Sequence, residues 1–442
     1  MASDEDTIFA LSSAPGRAAV AIIRISGPCA RAVGTVFGCA LPAVREIGLR
    51  KLRDGSRMID QALVLVFGRP NSYTGEDVVE LQIHGGRSVY DSVISCLVER
   101  GGFRFAEPGE FSRRAVLNGR LDLTAAEAVN DLVNAETEAQ RQLALTQLDG
   151  GLAGKFEAWA HNILQVRAHL EAYIDFPDEE IPLTVIEKLT ENLTISLRLM
   201  GSFLDDQHKG ERLRDGLRIA VVGPPNAGKS TLINWLADRE VAIVSKHAGT
   251  TRDVIEVHLD LGGYPVVVAD TAGIRVGGEE LEIEGMRRAR DWAGRADLRV
   301  LVLDASMGRL GGPIELGLGD ADLVLVNKID LVDRVPDWPG SFGVSITRGD
   351  GLAKALERLT TLARGMMDVG GQPVMTRARH RAALLRCRES VERALGGLNA
   401  DVSPEIVAEE LRVAADELGR VTGRVDVEAL LDVVFRDFCI GK

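Results

Sequence analysis

The sequence predicts an α/β domain inserted into a chain whose other parts are an N-terminal α+β domain and a helical bundle. The chain has 442 residues, a length that suggests about three domains. Residues 1–119 mix short apolar runs with glycine-rich turns, and residues 120–216 and 371–442 repeat apolar side chains near a 3.6-residue period. Residues 217–370 alternate strand-like and helical runs. This alternation predicts a mainly parallel sheet with helices on both faces.

Local signals place individual elements. Thr124 and Glu127 match a capping box, and Ser403 followed by Pro404 predicts a helix start. An apolar stripe predicts the last helix and consists of Val427, Leu430, Leu431, Val434, Phe435 and Phe438. The strands expected in the inserted domain are Leu217–Val222, Tyr264–Ala269, Leu298–Leu303, Asp322–Val326 and Phe342–Val344. The two helical segments are expected to form one bundle, so the ends of the inserted domain should lie close together.

Composition and charge exclude several classes of protein. Hydrophobic residues make up 45% of the chain, and no run approaches the ~18 apolar residues of a membrane span. The five cysteines include no C-x-x-C pair, which argues against a disulfide framework or a zinc site. The acidic start lacks the features of a secretory signal, so we expect a cytoplasmic protein. With a net charge of −13, the chain as a whole does not attract nucleic acid. Any nucleic acid must be bound by a local surface or with the help of a second protein.

The run GPPNAGKS at positions 223–230 follows a strand and precedes a helix, as a phosphate-binding loop requires. Its backbone amides would cradle phosphates, Lys229 would meet the β and γ groups, and the Ser230 hydroxyl would bind Mg²⁺. Thr251, in the run AGTTRD at positions 248–253, is placed to complete the Mg²⁺ coordination. These runs predict a nucleoside triphosphate site.

Two later motifs specify the nucleotide. The run DTAG at positions 270–273 ends a strand, where a carboxylate can hold a Mg²⁺-bound water and an amide can approach the γ-phosphate. In the run NKID at positions 327–330, Asp330 can accept two hydrogen bonds from guanine that adenine cannot donate. Ser345 is expected in a further guanine-contacting loop, although Ile346 stands where a small residue is usual. The side chain of Ile274 has no hydrogen-bonding atom, so another residue must orient the attacking water.

These motifs closely resemble the tRNA modification GTPase family MnmE, also called TrmE, and the resemblance covers essentially the whole chain. It rests on Asn226 in the phosphate loop, on GTTRD at 249–253 and on the terminal FCIGK at 438–442. The further matching runs are PGR at 15–17, IRISG at 23–27, SYTGED at 72–77, HGG at 84–86, PGEFS at 108–112 and LNGRLDL at 117–123. Several independent motifs in the family's order make the resemblance specific.

The resemblance implies a homodimer whose GTP-binding domains, of Ras-like P-loop type, pair across their nucleotides with bound K⁺ acting in place of an arginine finger. The implied K⁺ ligands are Asn226, Ser245, His247 and Thr250, although Ser245 and His247 could also be solvated loop residues. The full expected GTP-binding set is Asn226, Ala227, Gly228, Lys229, Ser230, Thr231, Ser245, Lys246, His247, Ala248, Gly249, Thr250, Thr251, Asp270, Thr271, Ala272, Gly273, Asn327, Lys328, Ile329, Asp330 and Ser345.

The water-orienting residue of the family is a glutamate beyond the DTAG turn, and matching the run LEIEG at 281–285 to its pattern selects Glu282. From the residues alone, Glu279, Glu280 and Glu284 are equally eligible. All four acids could instead form a solvated helix start, where negative charge suits the helix dipole.

The resemblance also implies a site for a tetrahydrofolate one-carbon donor, 5-formyl- or 5,10-methylene-tetrahydrofolate, made by Arg24, Glu80, Arg120 and Lys442. A glutamate can pair with the donor edge of the pterin, while cations meet the glutamyl carboxylates. Arg24 and Glu80 could instead be a structural pair. Cys439 is a candidate catalytic thiol, or a buried inert one beside the apolar stripe.

The function implied by the family is GTP hydrolysis coupled to modification of the wobble uridine (position 34) of certain tRNAs at carbon 5, which adds a carboxymethylaminomethyl or aminomethyl group. An FAD-dependent partner, MnmG, would form a heterotetramer or larger complex with the chain and supply redox chemistry. Two alternatives stay open at this point: a ribosome-assembly GTPase, and an N-terminal folate-binding regulator without transfer chemistry.

Overall fold

The computed structural model describes residues 6–175, 183–239, 241–243, 256–270, 294–307, 323–335, 340–400, 402–425, 427–436 and 438–441. The chain forms two compact units. One contains Met1–Val133, Gln147–Ser196 and Arg386–Lys442, and the other contains Asn134–Thr146 and Leu197–Leu385. The division into domains at residues 119, 216 and 370 stays a prediction.

The first unit contains a six-stranded sheet in the order β3-β4-β5-β2-β1-β6. Its strands are β1 (Thr7–Leu11), β2 (Val20–Ser26), β3 (Ile47–Asp54), β4 (Arg57–Phe67), β5 (Val78–His84) and β6 (Phe103–Phe105). Alternate residues of β2 and β5, among them Ile23, Leu81 and Ile83, are fully or almost fully buried in one core. Because side chains alternate across a strand, the residues between them lie on the opposite face of the sheet.

The helices are α1 (Val33–Val36), α2 (Arg87–Glu99), α3 (Glu110–Leu117), α4 (Leu123–Asn134), α5 (Glu138–Leu148), α6 (Gly151–Asp175), α7 (Leu183–Leu204), α8 (Lys209–Asp215), α9 (Lys229–Ala237), α10 (Leu352–Met367), α11 (Ala378–Asn399), α12 (Pro404–Thr422) and α13 (Val427–Phe435). Short 3-10 turns occupy Ala30–Ala32, Ala305–Met307 and Ile329–Leu331. In the first unit, α6 packs along α12, so segments from both predicted helical regions meet as expected. Leu431, Phe435 and Phe438 of the predicted stripe are buried against Leu123 and Ala126.

The predicted capping box at Thr124 and Glu127 is wrong. Helix α4 begins at Leu123, and the carboxylate of Asp122 accepts hydrogen bonds from the backbone amides of Thr124 at 2.8 Å and Ala125 at 3.0 Å. Asp122 therefore caps the helix, because the helix begins one residue before Thr124 and the Thr124 hydroxyl itself donates to the Asp122 carboxylate at 2.5 Å. Helix α12 begins at Pro404 as predicted, with Ser403 at the preceding position.

The second unit contains a sheet in the order β12-β11-β10-β7-β9-β8. Its strands are β7 (Leu217–Val222), β8 (Glu256–Leu261), β9 (Tyr264–Asp270), β10 (Leu298–Asp304), β11 (Leu323–Asn327) and β12 (Phe342–Gly343). All neighbours run parallel except β8 and β9. Val300 and Val302 are buried in one cluster and Leu301 and Leu303 in another, so both faces of the sheet are covered. The predicted fold class and the five predicted strands are confirmed.

Candidate functional site

The predicted nucleotide motifs follow strands that end at one edge of the parallel sheet. Register pairs Val221 with Asp270 and Asp304 with Asn327, so β7, β9, β10 and β11 end side by side. The carboxyl edge of such a sheet is the usual place for a ligand in open α/β folds. The structure therefore brings the loop at 223–230 and the run at 327–330 together, as the sequence predicts.

The phosphate loop needs its glycines. Gly223 has a φ of +145°, and a Cβ there would lie 2.1 Å from the carbonyl oxygen of Val302. Gly228 has a φ of +104°, and a Cβ there would lie 2.3 Å from Nδ2 of Asn327. Asn226 also has a positive φ, of 61°. Only glycine fits both close approaches, so the loop is held tightly against β10 and the start of the guanine motif.

Lys229 is the first residue of α9 and is only 8% exposed. Its Nζ donates hydrogen bonds to the carbonyl oxygens of Gly223 at 2.9 Å and Pro224 at 2.8 Å. The ammonium is thus held inside the loop beside the amino terminus of a helix, where positive potential accumulates. Ser230 and Thr231 follow it and are exposed, and Asn226 is exposed at the tip of the loop. These residues fit a triphosphate with its Mg²⁺.

Asn327 connects three parts of the site. Its Nδ2 donates to the carbonyl oxygen of Ala227 at 2.8 Å, and its Oδ1 accepts from the backbone amide of Ile346 at 3.2 Å. The side chain is 4% exposed. Asn327 therefore fixes the phosphate loop and the Ser345 loop relative to the guanine motif. Ile346 takes part through its backbone while its side chain is buried, so its size does not prevent the loop from forming.

Asp330 is the predicted guanine acceptor. A hydrogen bond from the Ser345 side chain lowers the pKa of its carboxyl group, with a smaller contribution from Arg348. The guanidinium of Arg348 lies 3.8 Å from the carboxylate. Asp330 is therefore ionised and can accept hydrogen bonds, which matches the two N–H donors on one edge of guanine.

Asp304 is a residue of the candidate site that no sequence motif singles out. Its Oδ2 accepts from Nζ of Lys328 at 2.5 Å, and its Oδ1 accepts from the amide of Ser306 at 2.9 Å. Burial alone would raise the pKa of Asp304, but the hydrogen bonds from Lys328 and Ser306 outweigh it and lower the pKa. Lys328 has a φ of 64°, and its ammonium is held over the end of β10. The position of Asp304 at the end of a buried strand was the available signal.

Several predicted residues lie outside the described part of the chain. They are Ser245, Lys246, His247, Ala248, Gly249, Thr250, Thr251, Thr271, Ala272, Gly273, Glu282 and Lys442. For Asp270 the backbone is described and the side chain is not. The roles given to these residues stay predictions.

The predicted folate residues Arg24 and Glu80 face each other across β2 and β5. Nε of Arg24 donates to Oε1 of Glu80 at 2.9 Å, and the side chains are 16% and 15% exposed. The guanidinium also lies over the rings of Tyr73 and Phe111, at 5.0 and 5.7 Å from their centroids. Within the described ranges, Oε2 of Glu80 and the two terminal nitrogens of Arg24 make no hydrogen bond. The terminal nitrogens of Arg24 can therefore donate, and Oε2 of Glu80 can accept, hydrogen bonds with a ligand such as a pterin.

The chain end lies against the same sheet. A Cβ on Gly441 would lie 2.3 Å from the carbonyl oxygen of Leu11, and Oγ of Ser12 donates to the carbonyl oxygen of Gly441 at 3.0 Å. Cys439 is exposed, so the alternative that it is a buried thiol is wrong. Arg120 is exposed after α3, with its amide bonded to the carbonyl of Ala115 at 2.8 Å.

A phosphate loop after the first strand of a mainly parallel sheet, with a guanine-type motif at the same edge, defines the class of P-loop GTPases. Two family models match the chain: the MnmE helical domain over residues 123–439 and the GTP-binding protein TrmE N-terminus over residues 7–120.

Curated relatives match over the full length. The tRNA modification GTPase MnmE of Parvibaculum lavamentivorans is 49% identical over 99% of this chain and 100% of its own length. That of Paramagnetospirillum magneticum is 50% identical, again over 99% of this chain and 100% of the relative. The chain belongs to the MnmE family of tRNA modification GTPases.

Among solved structures, the G domain of the T. maritima FeoB iron transporter is 24% identical, with a TM-score of 0.25, over 33% of this chain and 98% of that one. No helix in the described residues is long and apolar enough to cross a membrane.

Proposed function

We propose that this chain hydrolyses GTP in a K⁺-dependent manner and couples hydrolysis to modification of the wobble uridine of certain tRNAs at carbon 5. The proposal rests on the way the phosphate loop, the guanine motif and the Ser345 loop are joined at one edge of the sheet. Asn327 ties the phosphate loop at Ala227 to the loop at Ile346, and Ser345 keeps Asp330 charged for guanine. The family membership of the full chain supports the tRNA substrate.

In this function the chain's own residues bind and position the nucleotide. Lys229 and the loop amides would hold the phosphates, Ser230 and Thr251 would hold Mg²⁺, and Asp330 would orient the base. Glu282 would orient the attacking water. A K⁺ ion beside Asn226 would supply positive charge near the γ-phosphate, since the described part of the site offers no arginine to that group.

The folate part of the proposal concerns the first unit. Arg24 and Glu80, whose remaining hydrogen-bonding groups lie beside Tyr73 and Phe111, would hold the pterin of the one-carbon donor. The chain end at Gly441 lies on the same sheet, which brings Cys439 toward this region. Arg120 and Lys442 would meet the glutamyl carboxylates. We further propose a cytoplasmic homodimer that works with the FAD-dependent partner MnmG.

We expect GTP hydrolysis to be severalfold faster in K⁺ than in Na⁺ at equal ionic strength. The larger ion can be held by neutral oxygens such as the Asn226 side chain, and its charge offsets the charge that develops on the γ-phosphate. Initial rates of phosphate release in matched chloride salts test this. Equal rates in the two salts would remove the cation from the mechanism.

Transfer of labelled carbon to tRNA tests the whole proposal. The purified chain is mixed with MnmG, GTP, a tetrahydrofolate labelled in its one-carbon unit and unmodified tRNA. We expect the label at the wobble uridine, in amounts that depend on GTP. Wild-type protein that hydrolyses GTP while leaving the tRNA unlabelled would support a folate-binding regulator instead.

A further inference from the structure

The run HGG at positions 84–86 contains a histidine paired with a buried aspartate on the neighbouring strand. Nδ1 of His84, the last residue of β5, lies 2.8 Å from Oδ1 of Asp60. The same carboxylate accepts the backbone amides of His84 at 2.8 Å and Gln61 at 2.7 Å. The side chain of Asp60 is 8% exposed and that of His84 is 71% exposed. A fixed carboxylate therefore holds an imidazole that is open to solvent.

The pairing determines which ring nitrogen is free. Burial would raise the pKa of Asp60, but the hydrogen bonds from the backbone and ring of His84 and from Gln61 outweigh it and lower the pKa. An ionised carboxylate only accepts hydrogen bonds, so Nδ1 of His84 is the donor. Nε2 of the neutral ring then carries the free lone pair. This is the arrangement in which an aspartate orients a histidine that accepts a proton.

The backbone beside His84 is fixed as well. A Cβ on Gly85 would lie 2.5 Å from the carbonyl oxygen of Ala18, so only glycine fits this approach. The amide of Ala18 donates to the carbonyl of Gly85 at 3.2 Å, and the amide of Gly85 donates to the carbonyl of Ala19 at 3.4 Å. The imidazole is thus attached to a backbone segment that is held by Ala18 and Ala19 on one side and by Asp60 on the other.

His84 shares a sheet face with the proposed folate pair. Val79, Leu81 and Ile83 of β5 are in the core, so Glu80 and His84 alternate to the opposite face. Register pairs Glu80 with Arg24 and His84 with Val20, and Val20 is exposed. Four residues along a strand separate Glu80 from His84 by roughly 13 Å. A ligand that extends along the strand from the Arg24–Glu80 pair would reach the imidazole.

We propose that His84, oriented by Asp60, accepts a proton at the tetrahydrofolate site, an inference that rests on the proposed function. The donor is the protonated form of the primary amine or ammonium that joins the one-carbon unit. Its N–H bond breaks, the proton bonds to Nε2, and the lone pair stays on the amine nitrogen, which becomes nucleophilic. The imidazolium that forms is stabilised by the Asp60 carboxylate and later returns its proton to water.

The position of His84 is tested without turnover. Diethyl pyrocarbonate acylates the free nitrogen of exposed neutral imidazoles, and peptide mass spectrometry measures the extent at each histidine. We expect 5-formyl-tetrahydrofolate to slow acylation of His84 at least severalfold. His161 and His169, which are exposed on α6 of the same unit, should react equally with and without the ligand. Equal reactivity of His84 in both samples would overturn its placement at the folate site.

The role of His84 is tested by His84→Asn, which keeps a donor for Asp60 and removes Nε2. We expect the maximal rate of label transfer to tRNA to fall by about 10²–10⁴-fold while the folate concentration at half-maximal rate is unchanged. Imidazole added to His84→Gly should restore part of the rate. His161→Asn is the matched control and should transfer label at the normal rate.

The outcomes separate this inference from the proposed function. A His84→Asn protein that transfers label normally, or loses only folate affinity, would overturn the proton-transfer role and leave the function standing. A wild-type protein that transfers no label would overturn the proposed function and the proton-transfer role together. Thermal unfolding of each variant shows whether a lost rate reflects a lost fold.

Discussion

Replacing Lys229 with alanine is expected to lower the rate of GTP hydrolysis by about 10²–10³-fold. The ammonium lies inside the phosphate loop, within 2.9 Å of two loop carbonyls, and it is the only lysine of that loop. It would offset charge on the transferred phosphate group, and no neighbour in the loop can replace it. Phosphate release at saturating GTP measures the effect.

Lys354→Ala is the control for this change. Lys354 is an exposed lysine on α10 of the same unit, and its loss should leave hydrolysis within experimental error of the normal rate. A Lys229→Ala protein that keeps more than about a tenth of the normal rate would mean that the loop amides suffice for phosphate binding and catalysis.

The change Asp330→Asn is expected to weaken GTP binding by about 10²–10³-fold. The variant lacks the charged carboxylate that would accept hydrogen bonds from guanine. The asparagine amide presents one acceptor and one donor where the carboxylate presents two acceptors. Xanthine carries a carbonyl oxygen where guanine carries its amino group. We therefore expect the variant to bind xanthosine triphosphate more tightly than GTP, which competition with a fluorescent nucleotide measures.

Asp333→Asn controls for the loss of a nearby negative charge, since Asp333 is exposed three residues further along. This control should keep the normal preference for GTP. Unchanged base preference in Asp330→Asn would show that the carboxylate does not contact the base, and the guanine assignment would then have to move to another residue.

The sequence predicted the local features of the nucleotide site well. Strand runs such as Leu217–Val222 and the loop after it depend on neighbours in sequence, and the structure places them as expected. Partners brought together by the sheet were harder to predict. The pair of Asp304 and Lys328 joins the ends of two strands, and only their register brings the two residues together.

In the first unit, too, contacts between residues distant in sequence were harder to predict than local features. The runs SYTGED and PGEFS resemble family motifs, and the structure supplies a physical reason for them. Arg114, which is 4% exposed, binds the carboxylates of Glu76 at 3.0 Å and Glu110 at 3.5 Å, and Arg104 binds Glu110 at 2.6 Å. Removing one member of such a buried charge network leaves the other charges unpaired and destabilises the fold. These residues therefore have a structural role. The pairing of Asp60 with His84 was likewise not predictable, because 24 residues separate them.

Nucleoside analysis of bulk tRNA measures whether this GTPase modifies the wobble uridine of tRNA. Total tRNA is digested and measured by mass spectrometry from the parent strain, a strain without the gene, and that strain carrying the wild-type or Lys229→Ala chain. We expect uridines with an aminomethyl-type group at carbon 5 to disappear on deletion and to return only with the wild-type chain. Unchanged levels of these nucleosides in the deletion strain would show that the chain does not modify the wobble uridine.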